Sequence, residues 1–188
     1  MAINYPTSLD TFTNPTATSL LTSPSHAQQH SDINDAVEAL EAKVAIGNTV
    51  LGTYTAYTPS FNANLTVGNG TLSSSYCRVN NYVHYWGKLT FGSTTVITAA
   101  GIGVTLPINL DATMLPTGMP LGLMYFNDVS TSALNQGDAI SIGIATQFYM
   151  SVDNSSSTYS YRSNVSPSIP FTWTVSDIIF WNLYYKAA

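Results

Sequence analysis

The stretch Ser75–Trp86, SYCRVNNYVHYW, decides the fold class of this chain. The residues on either side of Asn80-Asn81 favour β-strands, and two consecutive asparagines tolerate the positive φ angles of a two-residue hairpin turn. The stretch therefore predicts a pair of antiparallel strands. Lys88–Phe91 continues the second strand beyond Gly87, which we expect to mark a bulge.

Short strands separated by turn residues fill the rest of the C-terminal part. The run 178–185, IIFWNLYY, is the most hydrophobic and is expected to lie at the centre of the sheet, whereas Asn135–Asp138 and Asp153-Asn154 are predicted turns. Strands at a spacing of roughly 8–12 residues are typical of a β-sandwich or barrel. We expect a mainly β, antiparallel, jelly-roll-like sandwich over residues 48–188. The remaining predicted strands are 94–98, 103–106, 121–126, 139–144, 147–152, 158–162 and 171–174.

One helix is predicted before this domain, within residues 25–47. The segment 30–44, HSDINDAVEALEAKV, has Ser31 and Asp32 as candidate N-caps, with Ser25 as an earlier alternative. Its apolar residues recur at the +4, +3, +4 spacing of a coiled-coil seam, and so short a helix is marginal on its own. The seam therefore predicts self-association, and its pattern is compatible with a dimer or a trimer. Its residues are Ile33, Val37, Leu40 and Val44.

Two histidines extend this seam towards the N-terminus. His26 and His30 are four residues apart and therefore share a helix face. In an oligomer they would present imidazoles to the axis, where they could hold a metal or an anion. The alternatives are polar layers in the seam or contacts with the preceding residues, and we predict no metal site.

Residues 1–24 are predicted to form an extended arm. Pro6, Pro15 and Pro24 exclude a helix of useful length, and the segment is rich in Thr and Ser. A free tail is one interpretation. Docking onto another protein is favoured by the apolar residues between the prolines, which are Tyr5, Leu9, Phe12, Leu20 and Leu21.

Composition excludes several classes of function. Charged residues make up 8% of the chain, against about 25% in an average domain, and the net charge is −5. The five basic residues form no cluster, so neither nucleic acid nor a membrane surface is an expected partner. The N-terminus lacks the charged and apolar regions of a signal peptide, and no run is long enough to span a membrane.

The sequence contains no catalytic motif, and we expect neither enzymatic activity nor a cofactor. The carboxylates of the β-domain are Asp111, Asp128, Asp138, Asp153 and Asp177, without a local pairing pattern. His84 is interpreted as an ordinary sheet histidine and Cys77 as a structural thiol. Most aromatic residues are expected in the core, and the best candidates for contact with a glycan are Tyr159 and Tyr161.

Two parts of the chain resemble a known family. The segment YPTSLDTFTNPTATSLLTSPSHAQQHSDINDAVEALEAKV, residues 5–44, resembles the N-terminal module of tailed-bacteriophage virion proteins, where similar segments precede β-rich fibre or decoration domains. Here Ala45 and Ile46 come before the glycine that follows the valine directly in the family. The segments GNGTLSSSYCRVNNYVHYWGKLTFGSTT (68–95) and PFTWTVSDIIFWNLYYKAA (170–188) also resemble the β-domains of these proteins.

The resemblance implies a non-enzymatic, homotrimeric virion protein that assembles in the host bacterial cytoplasm. Its arm would bind the major capsid protein or another virion protein. The short length favours a capsid decoration or head-fibre protein. The alternative is a tail-associated receptor-binding fibre protein that recognises a host surface glycan, and a polysaccharide-degrading enzyme has no support in the sequence.

Overall fold

The computed structural model describes residues 26–44, 53–114, 116–155 and 160–188. The chain divides into two compact units, Met1–Gly52 and Thr53–Ala188. The predicted arm, with Tyr5, Leu9, Phe12, Leu20 and Leu21, lies outside the described residues.

The described part of the first unit is helix α1, His26–Val44. Ser31 and Asp32 lie inside it, so their prediction as N-caps is wrong, and the earlier start agrees with the alternative that placed the cap at Ser25. Within the helix, Gln28 Nε2 donates a hydrogen bond of 2.8 Å to Asp32 Oδ1, one turn away. Asp32 therefore stabilises the middle of the helix instead of its end.

The described residues of the second unit form short strands and one 3-10 turn, Ala112–Met114. The strands are β1 Thr55–Ala56, β2 Leu65–Thr66, β3 Thr71–Val79, β4 Tyr82–Thr90, β5 Val96–Ile97, β6 Gly103–Thr105, β7 Pro120–Asp128, β8 Ala133–Ile140, β9 Gln147–Ser155, β10 Ser160–Asn164 and β11 Ile178–Lys186. The main sheet is antiparallel, with the order β1-β3-β4-β11-β7-β8-β9-β10, and β6 also pairs with β9. The C-terminal strand β11 lies between β4 and β7, which confirms its predicted central place.

The sheet folds over so that its two halves face each other around one core. Tyr85 on β4 and Phe148 on β9 are four strand positions apart, about 19 Å along a flat sheet. Their ring centroids are nevertheless 6.5 Å apart, and both rings contact Trp181 on β11. The mainly β, sandwich-like fold with one helix is therefore confirmed.

Hydrogen bonds also join the two ends of this curved sheet. The segment 55–62 pairs with β3 at its start, where Tyr57 N donates to Ser74 O at 3.1 Å. At its end, Asn62 N donates to Gly103 O at 2.9 Å, and Phe61 bridges Val104 on β6. Because β6 pairs with β9, this segment protects the sheet edge on β3.

Gly87 makes room for the core and is not a bulge. The pairing of β4 with β3 and β11 runs through Gly87 without a shift, so the predicted bulge is wrong. A Cβ atom at Gly87 would lie 2.1 Å from Cζ2 of Trp181. The indole, which is fully buried, therefore packs directly on the backbone of β4.

The predicted hairpin at Asn80-Asn81 is confirmed, and Asn80 has a φ of 54°. The predicted turns at Asn135–Asp138 and Asp153-Asn154 are wrong, since these residues lie inside β8 and β9. The chain turns at 129–132 instead, where the carboxylate of Asp128 accepts hydrogen bonds from the backbone and hydroxyls of Ser130 and Thr131.

Two further strand predictions need correction. β8 ends at Ile140, so residues 141–144 are not strand. Residues 171–174 form a loop, in which Trp173 Nε1 donates to Ser166 O at 2.9 Å and Thr174 N donates to Asp177 Oδ2 at 2.6 Å. Trp173 stacks on Phe91 at 4.9 Å, so packing and side-chain hydrogen bonds stabilise this loop in place of a strand ladder.

Candidate functional site

The predicted seam of helix α1 is exposed. Ile33 is 55% exposed, Val37 47% and Leu40 52%. These three side chains follow the +4, +3 spacing along one face of the helix. Val44 is the last residue of the helix, and its side chain lies outside the described part. The helix thus presents an apolar stripe that the described residues leave accessible.

His26 and His30 lie together at the start of this helix. Their Nε2 atoms are 3.1 Å apart, and their rings meet edge to face with centroids at 4.4 Å. The first turn of the helix therefore offers two converging imidazoles. Across the described residues, no group of three or more His, Cys, Asp or Glu side chains is placed to hold a metal ion.

The predicted glycan contacts do not form a described site. Tyr159 lies outside the described residues. Tyr161 is an exposed residue of β10, at the far end of the sheet from β4 and β11. Its neighbour Arg162 forms ion pairs with Asp138 and, at 3.8 Å, Asp153. Side chains alternate along a strand, so Tyr161 points to the opposite face from Arg162.

The five aspartates of the β-domain take part in turns and ion pairs. Lys186 Nζ lies 3.1 Å from Asp111 Oδ2, and the hydroxyl and backbone of Thr113, followed by Lys186, lower the pKa of Asp111 to about 2. Asp177 is fully buried and accepts from Val129 N at 3.0 Å as well as from Thr174. Burial raises the pKa of Asp138, while Arg162 opposes this shift.

The outer face of the sheet carries an unpredicted aromatic cluster around His84. The imidazole stacks on Tyr184 with centroids 4.1 Å apart and planes 6° from parallel, and Tyr54 meets its edge at 5.5 Å. Its ring nitrogens Nδ1 and Nε2 contact the Tyr54 hydroxyl and Asn182 Oδ1. On this face, His84 thus links β4 to β11 and to the segment before β1.

Both ring nitrogens of His84 are engaged. Oδ1 of Asn182 can only accept, so Nε2 of His84 donates to it, and Nδ1 is hydrogen-bonded to the hydroxyl of Tyr54. Partial burial, followed by nearby Cys77 and Tyr184, raises the pKa of Tyr54, which keeps this phenol protonated as a donor. The arrangement orients side chains and uses both ring nitrogens in doing so.

The cluster belongs to a wider apolar surface, which we call the outer patch. Tyr82 and Tyr184 are 66% and 65% exposed, although large apolar side chains normally face the core of an antiparallel sheet. The exposed side chains of Leu123 and Leu134 continue the apolar surface onto β7 and β8. The outer patch is defined by Tyr54, Tyr82, His84, Trp86, Phe180 and Tyr184.

No family model matches this chain, and no curated protein or solved structure matches it either. Among the described residues, no helix is both long and apolar enough to cross a membrane.

Proposed function

We propose that this chain is a non-enzymatic structural protein of a tailed-bacteriophage virion. It acts as a trimeric capsid decoration or head-fibre protein, held to the particle by its N-terminal arm and displaying the β-domain. The order of parts supports this proposal: a segment that resembles a phage attachment module, one short helix, and a compact β-unit that begins at Thr53.

The observation that carries the proposal is the exposed seam of Ile33, Val37 and Leu40. Most of the stability of a protein helix comes from packing its apolar face, and fully burying each such side chain contributes about 1.5–3 kcal/mol. Packing the stripe against symmetry-related copies supplies that burial. In the heptad pattern, Val37 is at position a and Leu40 at position d, and these residues are compatible with both a dimer and a trimer. The choice of a trimer therefore follows from the resemblance.

In this proposal the arm carries the attachment to the major capsid protein or another virion protein. Its apolar residues would fill pockets on the particle, as extended segments do when they bind a partner surface. Substituting Phe12 and Leu20 by Ser would then release the protein from virions without changing its fold. The residues that we propose to anchor the arm are Tyr5, Leu9, Phe12, Leu20 and Leu21.

A tail-associated protein that recognises a host surface glycan is the second candidate. The exposed ring of Tyr161 on β10 favours it, because an accessible aromatic ring provides a stacking platform for a sugar. Binding to a glycan array that is lost in Tyr161→Ala, with an unchanged melting temperature, would support this alternative.

The location of the protein on the particle tests the proposal. Gold-labelled antibodies against the β-domain should decorate the capsid of purified virions. Labelling confined to the tail would contradict the decoration function and favour the receptor-binding alternative. Virions that carry none of the protein would contradict both.

A further inference from the structure

We propose that the outer patch is a second interface between copies of this chain, formed in addition to the helix seam. The proposal deepens the proposed function, since it places contacts between the β-domains of the same oligomer. Four features support a second copy as the occupant: the pattern of β11, the size of the face, its low charge, and its position next to the start of the β-domain.

Strand β11 is apolar on both faces. Ile179, Trp181 and Leu183 point into the core and are fully buried, whereas Phe180 and Tyr184 point outwards, with Asn182 between them. An antiparallel strand that faces water on one side normally alternates apolar and polar residues. Near-continuous apolar residues are typical of strands covered on both faces, so the outer face of β11 has the composition of a covered surface.

The outer face is also large enough for a protein interface. The neighbouring strands β3, β4 and β11, which surround the outer patch, span about 14 Å across, and a strand such as β4 is about 30 Å long. This face therefore measures roughly 420 Å², a size at which an exposed apolar patch marks an interaction site. A single sugar ring would cover only a small part of it.

Low charge makes the face compatible with an identical copy. In a trimer the patches of three copies would face one axis, so like charges close to that axis would repel each other. Lys186 is paired with Asp111, and Asp138 is paired with Arg162, on the flanks of the outer patch. The centre of the patch consists of aromatic rings with His84 and Asn182, and Lys88 is the one charged residue of β4 on this face, beside Phe180.

The short connection to the helix limits how far apart the patches of associated copies can lie. Tyr54 belongs to the outer patch and lies immediately after the connection between Val44 and Thr53. That connection spans at most about 30 Å when fully extended. Copies joined at the helix seam therefore hold their outer patches at a high effective concentration, in the millimolar range for short links.

Sedimentation equilibrium of the full-length chain and three variants tests the proposal. Tyr82→Ser with Tyr184→Ser removes two exposed rings of the patch, and Tyr161→Ser with Val175→Ser is the matched control, with two exposed apolar side chains lost outside the patch. The patch variant should weaken association about 100-fold, because central aromatic residues dominate interface energies. The control should associate like the wild type.

The third variant, Val37→Asp with Leu40→Asp, separates this proposal from the proposed function. If only the helix variant dissociates, the outer patch is not an interface although the helix seam stands. If only the patch variant dissociates, the outer patch is an interface and association through the helix seam is contradicted. A patch variant that keeps its mass but loses binding to a glycan array would overturn the proposal in favour of a sugar surface.

Chemical labelling of the wild-type chain is a second test of this interface and needs no substitution. Iodination of Tyr82 and Tyr184, followed by mass spectrometry, should be slow at high protein concentration and fast after dilution. Tyr161 should react at the same rate in both conditions. Equal reactivity of Tyr82 and Tyr184 at all concentrations, in a protein that remains oligomeric, would contradict the proposal.

Discussion

The imidazole of His84 stacks on the ring of Tyr184, with centroids 4.1 Å apart and planes 6° from parallel. The two residues are directly paired across β4 and β11, so the stack couples the central strand to its neighbour on the outer face. The ring nitrogens of His84 are also hydrogen-bonded to the Tyr54 hydroxyl and to Asn182 Oδ1, so the imidazole has a defined orientation in the stack.

We predict that this stack contributes about 0.5–1 kcal/mol to the free energy of unfolding, the usual range for cross-strand aromatic pairs. A double-mutant cycle of His84→Ala and Tyr184→Ala, measured by urea unfolding, should give a coupling energy of that size. Lys88→Ala combined with Tyr184→Ala is the control and should be additive. A coupling energy indistinguishable from zero for the stacked pair would mean that the rings are neighbours without interaction.

Gly87→Ala should destabilise the β-domain by about 1–3 kcal/mol, the usual cost of overpacking a core. The new methyl group would lie 2.1 Å from Cζ2 of the buried Trp181, so the indole or the backbone of β4 must move. Urea unfolding followed by tryptophan fluorescence measures the change. Lys88→Ala, on the exposed side of the same strand, should stay within about 0.5 kcal/mol of the wild type. Equal stability of the two variants would refute this packing.

Asp177→Ala should be among the most destabilising changes at a polar residue, at about 2–4 kcal/mol. The fully buried carboxylate accepts hydrogen bonds from the backbone of Val129 and Thr174, and its removal leaves both donors without this acceptor. Asp177→Asn keeps one acceptor oxygen and should lose less. Thermal unfolding by circular dichroism gives the ranking, and a variant with Ala as stable as the one with Asn would be evidence against the role of Asp177.

Stability should fall in acid because two carboxylates have lowered pKa values. The hydroxyls of Ser130 and Thr131 lower the pKa of Asp128, and the surroundings of Asp111 lower its pKa to about 2. Their ionised forms are favoured by folding, so their contribution is complete above the ordinary value of 3.8 and is lost as the pH falls towards 2.

The test of this acid dependence is the melting temperature between pH 5 and pH 2 for the wild type and Asp128→Asn. The variant should lose less stability over this window than the wild type. Asp138 contributes to the pH dependence with the opposite sign because burial raises its pKa. The curve of the variant is therefore compared with the curve of the wild type. Parallel curves for the two proteins would contradict the assignment to Asp128.

Local sequence determined much of the fold. Asn80-Asn81 predicted the hairpin because few residue pairs tolerate its φ angles, and the long apolar run predicted the central place of β11. The same reasoning failed at Asn135–Asp138, since Gly137 suggested a turn. In the structure Gly137 lies in β8, where a Cβ atom would be 2.0 Å from Ser151 O on β9. Only the neighbouring strand reveals this close approach.

The apolar stripe of helix α1 could be predicted from the sequence, and the outer patch could not. Ile33, Val37 and Leu40 follow a local period of 3.5 residues that is visible in the sequence. His84 meets Tyr54 and Tyr184 across long separations in the chain, so no local pattern links them. The one available sign was that β11 is apolar at both odd and even positions. A buried central strand explains the same pattern, so it did not point to an exposed apolar face.

The native mass of the full-length chain, measured by light scattering for the wild type and for Val37→Asp with Leu40→Asp, tests self-association through the helix. One chain has a mass of 20.2 kDa. We predict a wild-type particle of three times that mass, and a smaller species for the helix variant, with an unchanged circular dichroism spectrum of the β-domain. A wild-type protein that is monomeric, or a helix variant that keeps the wild-type mass, would contradict assembly through Ile33, Val37 and Leu40.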